Sequence, residues 1–177
     1  MTDPIQILIA EHNTIKKVSS LFPHLQNLWI NNPRKYEEII REIIEFCRGY
    51  ADFIHHHKEE EMLFPLLEMI NPSLRHQIIE ELLDHHHTFR QLINTAETLL
   101  NSGKYEESYN TLAKYFDLIE SHIQAEDYEL FVTATEILSP SRRENLSISF
   151  LSFDDSIKSE KERLEKLPEN IMSKLTG

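Results

Sequence analysis

Between Arg34 and Met69 the apolar residues Ile40, Ile43, Ile44, Cys47, Ala51, Met62 and Leu66 recur every third or fourth position. A run of that length with a 3.6-residue period reads as one long helix with a single buried stripe. Two positions on the stripe are polar: His55 and Glu59. Residues four apart on a helix share a face, so an imidazole nitrogen and a carboxylate oxygen are aimed together at the interior. Only three glycines occur in 177 residues, and prolines fall in the gaps between long periodic segments. The chain therefore reads as all-α.

The other segments follow the same rule. A first helix should begin at the cap Asp3-Pro4 and carry Ile5, Leu8, Ile9, His12, Ile15, Ser19 and Phe22 inward. Pro23 should kink or end it, with His24 to Ile30 adding a turn or two before Asn31-Asn32-Pro33. The second helix, about Arg34 to Met69, should bend at Pro65. A third, from near Ser73 to Asn101-Ser102-Gly103, runs through Ile78, Ile79, Leu82, Leu83, Phe89, Ile93, Ala96 and Leu100 and contains the run His85-His86-His87. A fourth, about Tyr105 to Leu138, aligns Leu112, Tyr115, Phe116, Ile119, His122, Glu126 and Leu130 and stops at Ser139-Pro140. Short connections make sequential helices antiparallel, so the expected architecture is an up-down-up-down four-helix bundle with one inward histidine per helix at a common level.

The net charge is −12, and its distribution divides the chain. Residues 1–140 contain 11 basic and 23 acidic side chains, whereas residues 141–177 contain seven of each. The expected division is a bundle over 1–140 and an extension over 141–177, either one or two short helices packed on the bundle or a homodimer contact. Acidic excess excludes a nucleic-acid or anionic-membrane surface and suits a cation. A single cysteine, Cys47, cannot form an intramolecular disulfide, and neither a signal peptide nor a membrane-spanning run is present, so a cytoplasmic location is expected.

The polar groups on the stripes define the chemistry. The window His55-His56-His57-Lys58-Glu59 through Leu63-Phe64 shares its frame with His122 through Glu126 and Leu130-Phe131: His, Glu four later, then Leu-Phe. Any one of these histidines has an ordinary explanation on a surface or in a hydrogen bond. Together, His12, His55, Glu59, His86, His122 and Glu126 would each lose roughly 1–3 kcal/mol if buried without partners. A divalent cation satisfies them at once. Imidazole and carboxylate without thiolate suit iron, manganese or zinc. Two carboxylates on different helices can bridge a pair of ions, and redox chemistry then favours iron, although zinc fits the same cage. Ferritin-type centres need Glu-x-x-His, and zinc hydrolases need His-Glu-x-x-His; neither occurs.

Glu11-His12, His55-His56-x-Lys58-Glu59-Glu60-x-x-Leu63-Phe64-Pro65, Asp84-His85-His86 with Arg90, and His122-x-x-x-Glu126 with Leu130-Phe131 resemble the hemerythrin-like cation-binding (HHE) domain over about residues 5–135. The resemblance implies a four-helix bundle holding two iron ions, oxo- or hydroxo-bridged. It also implies a function in binding, sensing or reacting with oxygen or nitric oxide, in iron handling, or in iron–sulfur cluster repair. His12, His55, Glu59, His122 and Glu126 match ligand positions. Oxygen-carrying members supply His-x-x-x-His on the third helix and His-x-x-x-x-Asp on the fourth; this chain has no His-x-x-x-His, and its two His-x-x-x-Glu segments are closer to the branch containing repair proteins and iron sensors. Repair proteins usually add an N-terminal cysteine-bearing segment, whereas this sequence is expected to start directly with its first helix.

On the third helix, matching Thr14-Ile15-Lys16 to Thr88-Phe89-Arg90 selects His86, and matching the acid–histidine pairs selects His85. His56 could be an end-on ligand and Glu60 an outer partner, or both could be exposed. His24, His57, His76 and His87 are expected on solvated faces, and Tyr50 and Tyr115, one to two turns from the ligands, either in the apolar core or as donors to a bound oxo group. A scaffold bundle with no functional metal is the contrasting reading.

Overall fold

The computed structural model describes residues 2–176, and these contain helices and no strand. Helix α1 (Pro4–Leu21) begins where the Asp3 carboxylate accepts the Ile5 N–H at 2.9 Å, with Pro4 at a position whose N–H would have no helical partner. Replacing Asp3 with alanine is expected to cost about 1 kcal/mol. Thermal unfolding should show this as a melting temperature lower by about 2–4 °C. Pro23 lies in a 3-10 turn, Phe22–Leu25, that ends α1. Asn27 then takes a left-handed conformation (φ 64°) and a single helical turn, Leu28–Asn31, follows.

Three long helices come next: α2 over residues 33–70, α3 over 74–101 and α4 over 105–137. Gly103 (φ 71°) reverses the chain after α3, its N–H donating to Leu100 O while the Lys104 N–H donates to Leu99 O, both at 3.0 Å. Parts of these helices are wider than α. Cys47–His56, Glu59–Leu63, Arg75–Ile79 and Glu126–Leu130 are π-helical. The Phe64 N–H donates to Glu59 O and the Phe131 N–H to Glu126 O, five residues back instead of four.

The wide turns correct one expectation. A strict 3.6-residue period continues the α2 stripe through Met62 and Leu66, but the structure buries Leu63, Phe64 and Leu67. Each wide turn holds an extra residue, so the inward stripe moves on by one beyond it. Pro65 is the second residue of the α-helical stretch Phe64–Ile70, where its missing N–H coincides with the change of register.

The chain ends in three helices, not one or two: α5 (Pro140–Ser156), α6 (Lys158–Glu165) and α7 (Leu167–Thr176). They complete two apolar cores. Ile15, Ile43, Phe46, Ile93 and Phe116 pack with Leu164, Leu167 and Ile171 of α6 and α7. Leu8, Leu67, Leu82 and Phe131 pack with Leu146 and Phe150 of α5. Gly49 leaves room for this docking, since a Cβ there would stand 2.8 Å from Leu164 Cδ1. Along each of α1 to α4, His12, His55–Glu59, His86 and His122–Glu126 fall between residues of one core and residues of the other. The fold thus holds a polar layer between two apolar ones. No helix among the described residues is long and apolar enough to cross a membrane.

Candidate metal centre

Five histidines and two carboxylates converge in that layer. His12, His55, Glu59 and Glu126 form one group; His56, Glu59, His86 and His122 form another, and in each the ligand-type atoms lie within 4.8 Å of one another. All seven residues are at most 1% exposed. Glu59 faces His55 Nε2 through Oε1 (3.4 Å) and His86 Nε2 through Oε2 (3.6 Å). Glu126 Oε2 lies 3.2 Å from both His12 Nε2 and His122 Nε2. Each carboxylate therefore stands between histidines of different groups.

The second histidine of the triplet is brought inward by the wide turn. In a regular α-helix adjacent residues point about 100° apart, so His55 and His56 would not both face one site. Within the π segment Cys47–His56 both are buried, and the His56 ring stacks on His86 at 3.8 Å between centroids. The structure brings His86 into the centre, whereas His85 is 35% exposed in its side chain and places Nδ1 3.3 Å from Nδ1 of His122. His24, His76 and His87 are exposed, but His57, expected on a solvated face, is half-buried against Phe153 of α5 at 4.6 Å. That expectation failed because α5 covers a face that appears free on the bundle alone. Tyr50 and Tyr115 are buried with the apolar core.

Behind four of the imidazoles stands a carboxylate, and behind each carboxylate a cation. His12 Nδ1 meets Asp127 at 2.7 Å, and Asp127 meets Lys16 at 3.0 Å. His86 Nδ1 meets Glu60 at 2.7 Å and His56 Nδ1 meets Asp52 at 3.4 Å, with Arg90 bound to both acids. His55 Nδ1 meets Glu11 at 3.2 Å, which is bound in turn by Lys58 and Lys161. Because an ionised carboxylate only accepts hydrogen bonds, Nδ1 carries the proton and the Nε2 lone pair is left facing the centre.

The centre fits a cation. His12 Nε2, His55 Nε2 and all four oxygens of Glu59 and Glu126 are buried without a hydrogen-bond partner. Nε2 of His86 and Nε2 of His122 are 3.0 Å apart. A positive ion between such lone pairs removes both the repulsion and the unmet hydrogen bonding. Without one, burial and then the neighbouring Glu126 charge push the Glu59 carboxyl well above its usual range, whereas His122 and His12 overcome burial to hold Glu126 well below. Burial, reinforced by His12, brings His55 down to about 3, so it is a neutral imidazole and a competent ligand.

Burial alone would raise Glu11; the hydrogen bond with His55 and the charges of Lys58 and Lys161 reverse this and bring it down to about 2. A carboxylate lowered in the fold contributes stability that is present above its ordinary value of 4.5 and is lost as pH falls towards about 2. Urea unfolding of metal-free protein between pH 5 and 2 should accordingly show a steeper loss of stability in the native chain than in Glu11→Gln.

Glu11, Asp52, Lys58 and Asp127 had no assigned role from sequence. Glu11 and Asp127 each adjoin a candidate ligand, and Asp52 lies four residues before His56, so adjacency and spacing were usable signals. For Lys58 the helix period gave none, and only its place in the His55-His56-x-Lys58-Glu59 motif set it apart; the structure buries it to 0% exposure.

A cavity of about 320 Å³ between α2 and α3, lined by Cys47, Asp52, His56, Phe89, Arg90 and Tyr115, reaches this layer at the His56 ring. An all-helical protein with a buried layer of histidines and carboxylates around unmet acceptor atoms belongs to the class of helical cation-binding domains. Residues 3–134 match the family model described as the hemerythrin HHE cation binding domain, and the chain belongs to that family. No curated protein and no solved structure matches it.

Proposed function

We propose that the chain is a non-haem di-iron protein that binds, senses or reacts with oxygen or nitric oxide. The observation that carries this reading is the meeting of two four-residue groups at Glu59, with Glu126 also lying between histidines of both. His12, His55, Glu59 and Glu126 would hold one ion, and His56, His86 and His122 with Glu59 the other. His85 would act on His122 and not on a metal. A pair of irons supplies reversible one-electron chemistry and affinity for diatomic gases.

The chain's own contribution is orientation and exclusion of water. The carboxylates behind His12, His55, His56 and His86 fix the proton on Nδ1, and the apolar cores above and below the layer keep bulk solvent out. The cavity ending at His56 supports approach by a small ligand. Short connections at 71–73 and 102–104 support an up-down-up-down arrangement of α1 to α4, and a reducing cytoplasm suits both the iron and the free Cys47.

The test is metal content by mass spectrometry on untagged protein, with visible absorption recorded before and after exposure to oxygen or nitric oxide. Two irons per chain and a ligand-dependent charge-transfer band are expected. No stoichiometric metal, together with a spectrum unchanged by added iron, would return the bundle to the scaffold class.

A further inference from the structure

We infer that the C-terminal helices are part of the metal centre: Asp154 and Lys161, acting through Glu11 and Lys58, are positioning residues for His55. Lys58 Nζ is fully buried between Glu11 Oε1 and Asp154 Oδ1, the latter at 2.7 Å. Lys161 Nζ lies between the same two acids, 2.8 Å from Glu11 Oε1 and 2.7 Å from Asp154 Oδ2. Two ammonium groups and two carboxylates thus alternate in a closed ring drawn from α1, α2, α5 and α6. The other Glu11 oxygen, Oε2, is the one against His55 Nδ1. Glu11 cannot turn away from the imidazole without leaving both lysines.

The ring is not needed for stability as such, since well-packed apolar side chains commonly replace buried ion pairs without loss. What it does that apolar residues cannot is hold a charged acceptor in one orientation behind a ligand. It also makes the two groups unequal. Asp52 and Glu60, behind His56 and His86, are both held by Arg90 of α3, and Asp127, behind His12, is held by Lys16 of α1. Among the described residues, only His55 of these imidazoles is oriented through residues beyond 140. Docking of the C-terminal helices and occupancy of the His12–His55 group are therefore coupled, while the His56–His86–His122 group is independent of them. By linkage, an ion in the first group should strengthen docking of α5 and α6 by the same factor by which docking strengthens its binding.

The inference rests on the two-group reading, and the test separates them. Metal-free, full-length protein is titrated with Zn²⁺ against a chromogenic chelator, and Co²⁺ absorption reports the ligand geometry. In Lys161→Met one of the two Zn²⁺ affinities should fall about ten-fold, with the other within about two-fold of the native value. Its Co²⁺ spectrum should change for the weakened site alone, and Lys161→Arg should restore both readouts. Asp154→Asn repeats the test from the acidic side of the ring should Lys161→Met fail to fold. Ile171→Ala, a buried α7 position away from the ring, should lower stability but leave both affinities and the spectrum in place. Unchanged affinities in both ring variants, or equal weakening of both sites, would overturn the inference while leaving the two-group reading intact. Fewer than two Zn²⁺ in the unsubstituted chain would overturn that reading and the inference with it.

Discussion

Replacing Glu59 with leucine should raise the melting temperature of the metal-free protein and, on the proposed two-ion reading, abolish binding of both ions. Both Glu59 oxygens are buried without partners, and burial pushes the carboxyl well above its ordinary value of 4.5. A carboxyl raised in the fold contributes stability that is complete below about pH 4.5 and is lost as pH rises through the folded value, so at neutral pH Glu59 counts against the fold. Leucine removes the unmet oxygens at a gain of about 1–3 kcal/mol. For a chain of this size that is about 2–4 °C in melting temperature for each kcal/mol. Binding moves the other way. Glu59 belongs to both groups, so its loss should exceed the roughly 10–100-fold typical of outer partners. Thermal unfolding with chelator present measures the first effect and metal content the second. A lower melting temperature in the variant would mean that Glu59 is satisfied by the protein alone.

Lys58→Met should have the largest destabilising effect of a single side-chain change in this centre. The methionine keeps the stem packed near Phe150, whose ring centroid lies 5.8 Å from Nζ, but leaves Lys161 alone to face Glu11 and Asp154. Removing one member of a buried ionic set typically costs about 3–5 kcal/mol, because its partners stay charged and desolvated. Urea denaturation should show this as a lower midpoint with an unchanged slope. Adding Glu11→Gln should recover part of the loss, and the size of that recovery is the coupling between the two groups. Purely additive effects would show that the two side chains do not share the ring.

The helical segments and the polar layer were legible because they follow the helix period. Ile40 through Ala51 and Leu112 through Leu130 announce their stripes, and His12, His55, Glu59, His86, His122 and Glu126 interrupt apolar series in which a polar residue needs a reason. What did not show was anything depending on a changed helix width. Lys58 is buried, and Met62 and Leu66 give way to Leu63 and Leu67, because hydrogen bonds to the fifth residue back leave no mark in a period-based reading; His56 was legible only as a neighbour of His55 that could face in or out. The C-terminal helices were hard to place for a different reason. Their charges balance and the inward residues of α5 are widely spaced, so nothing in the sequence marks out Asp154 and Lys161 until α1 and α2 supply their partners.

The wide turns at Cys47–His56 and Glu59–Leu63 set a condition on any attempt to transplant this centre. A designer who copies His-x-x-x-Glu onto two straight helices reproduces the spacing of the letters but not the azimuth of the side chains. His56 would swing towards solvent and Lys58 would leave the ring, and one of the two residue groups would lose an imidazole while the other lost its brace. The portable unit is a short length of over-wide backbone together with its side chains. Its proper background is a helix allowed one residue too many.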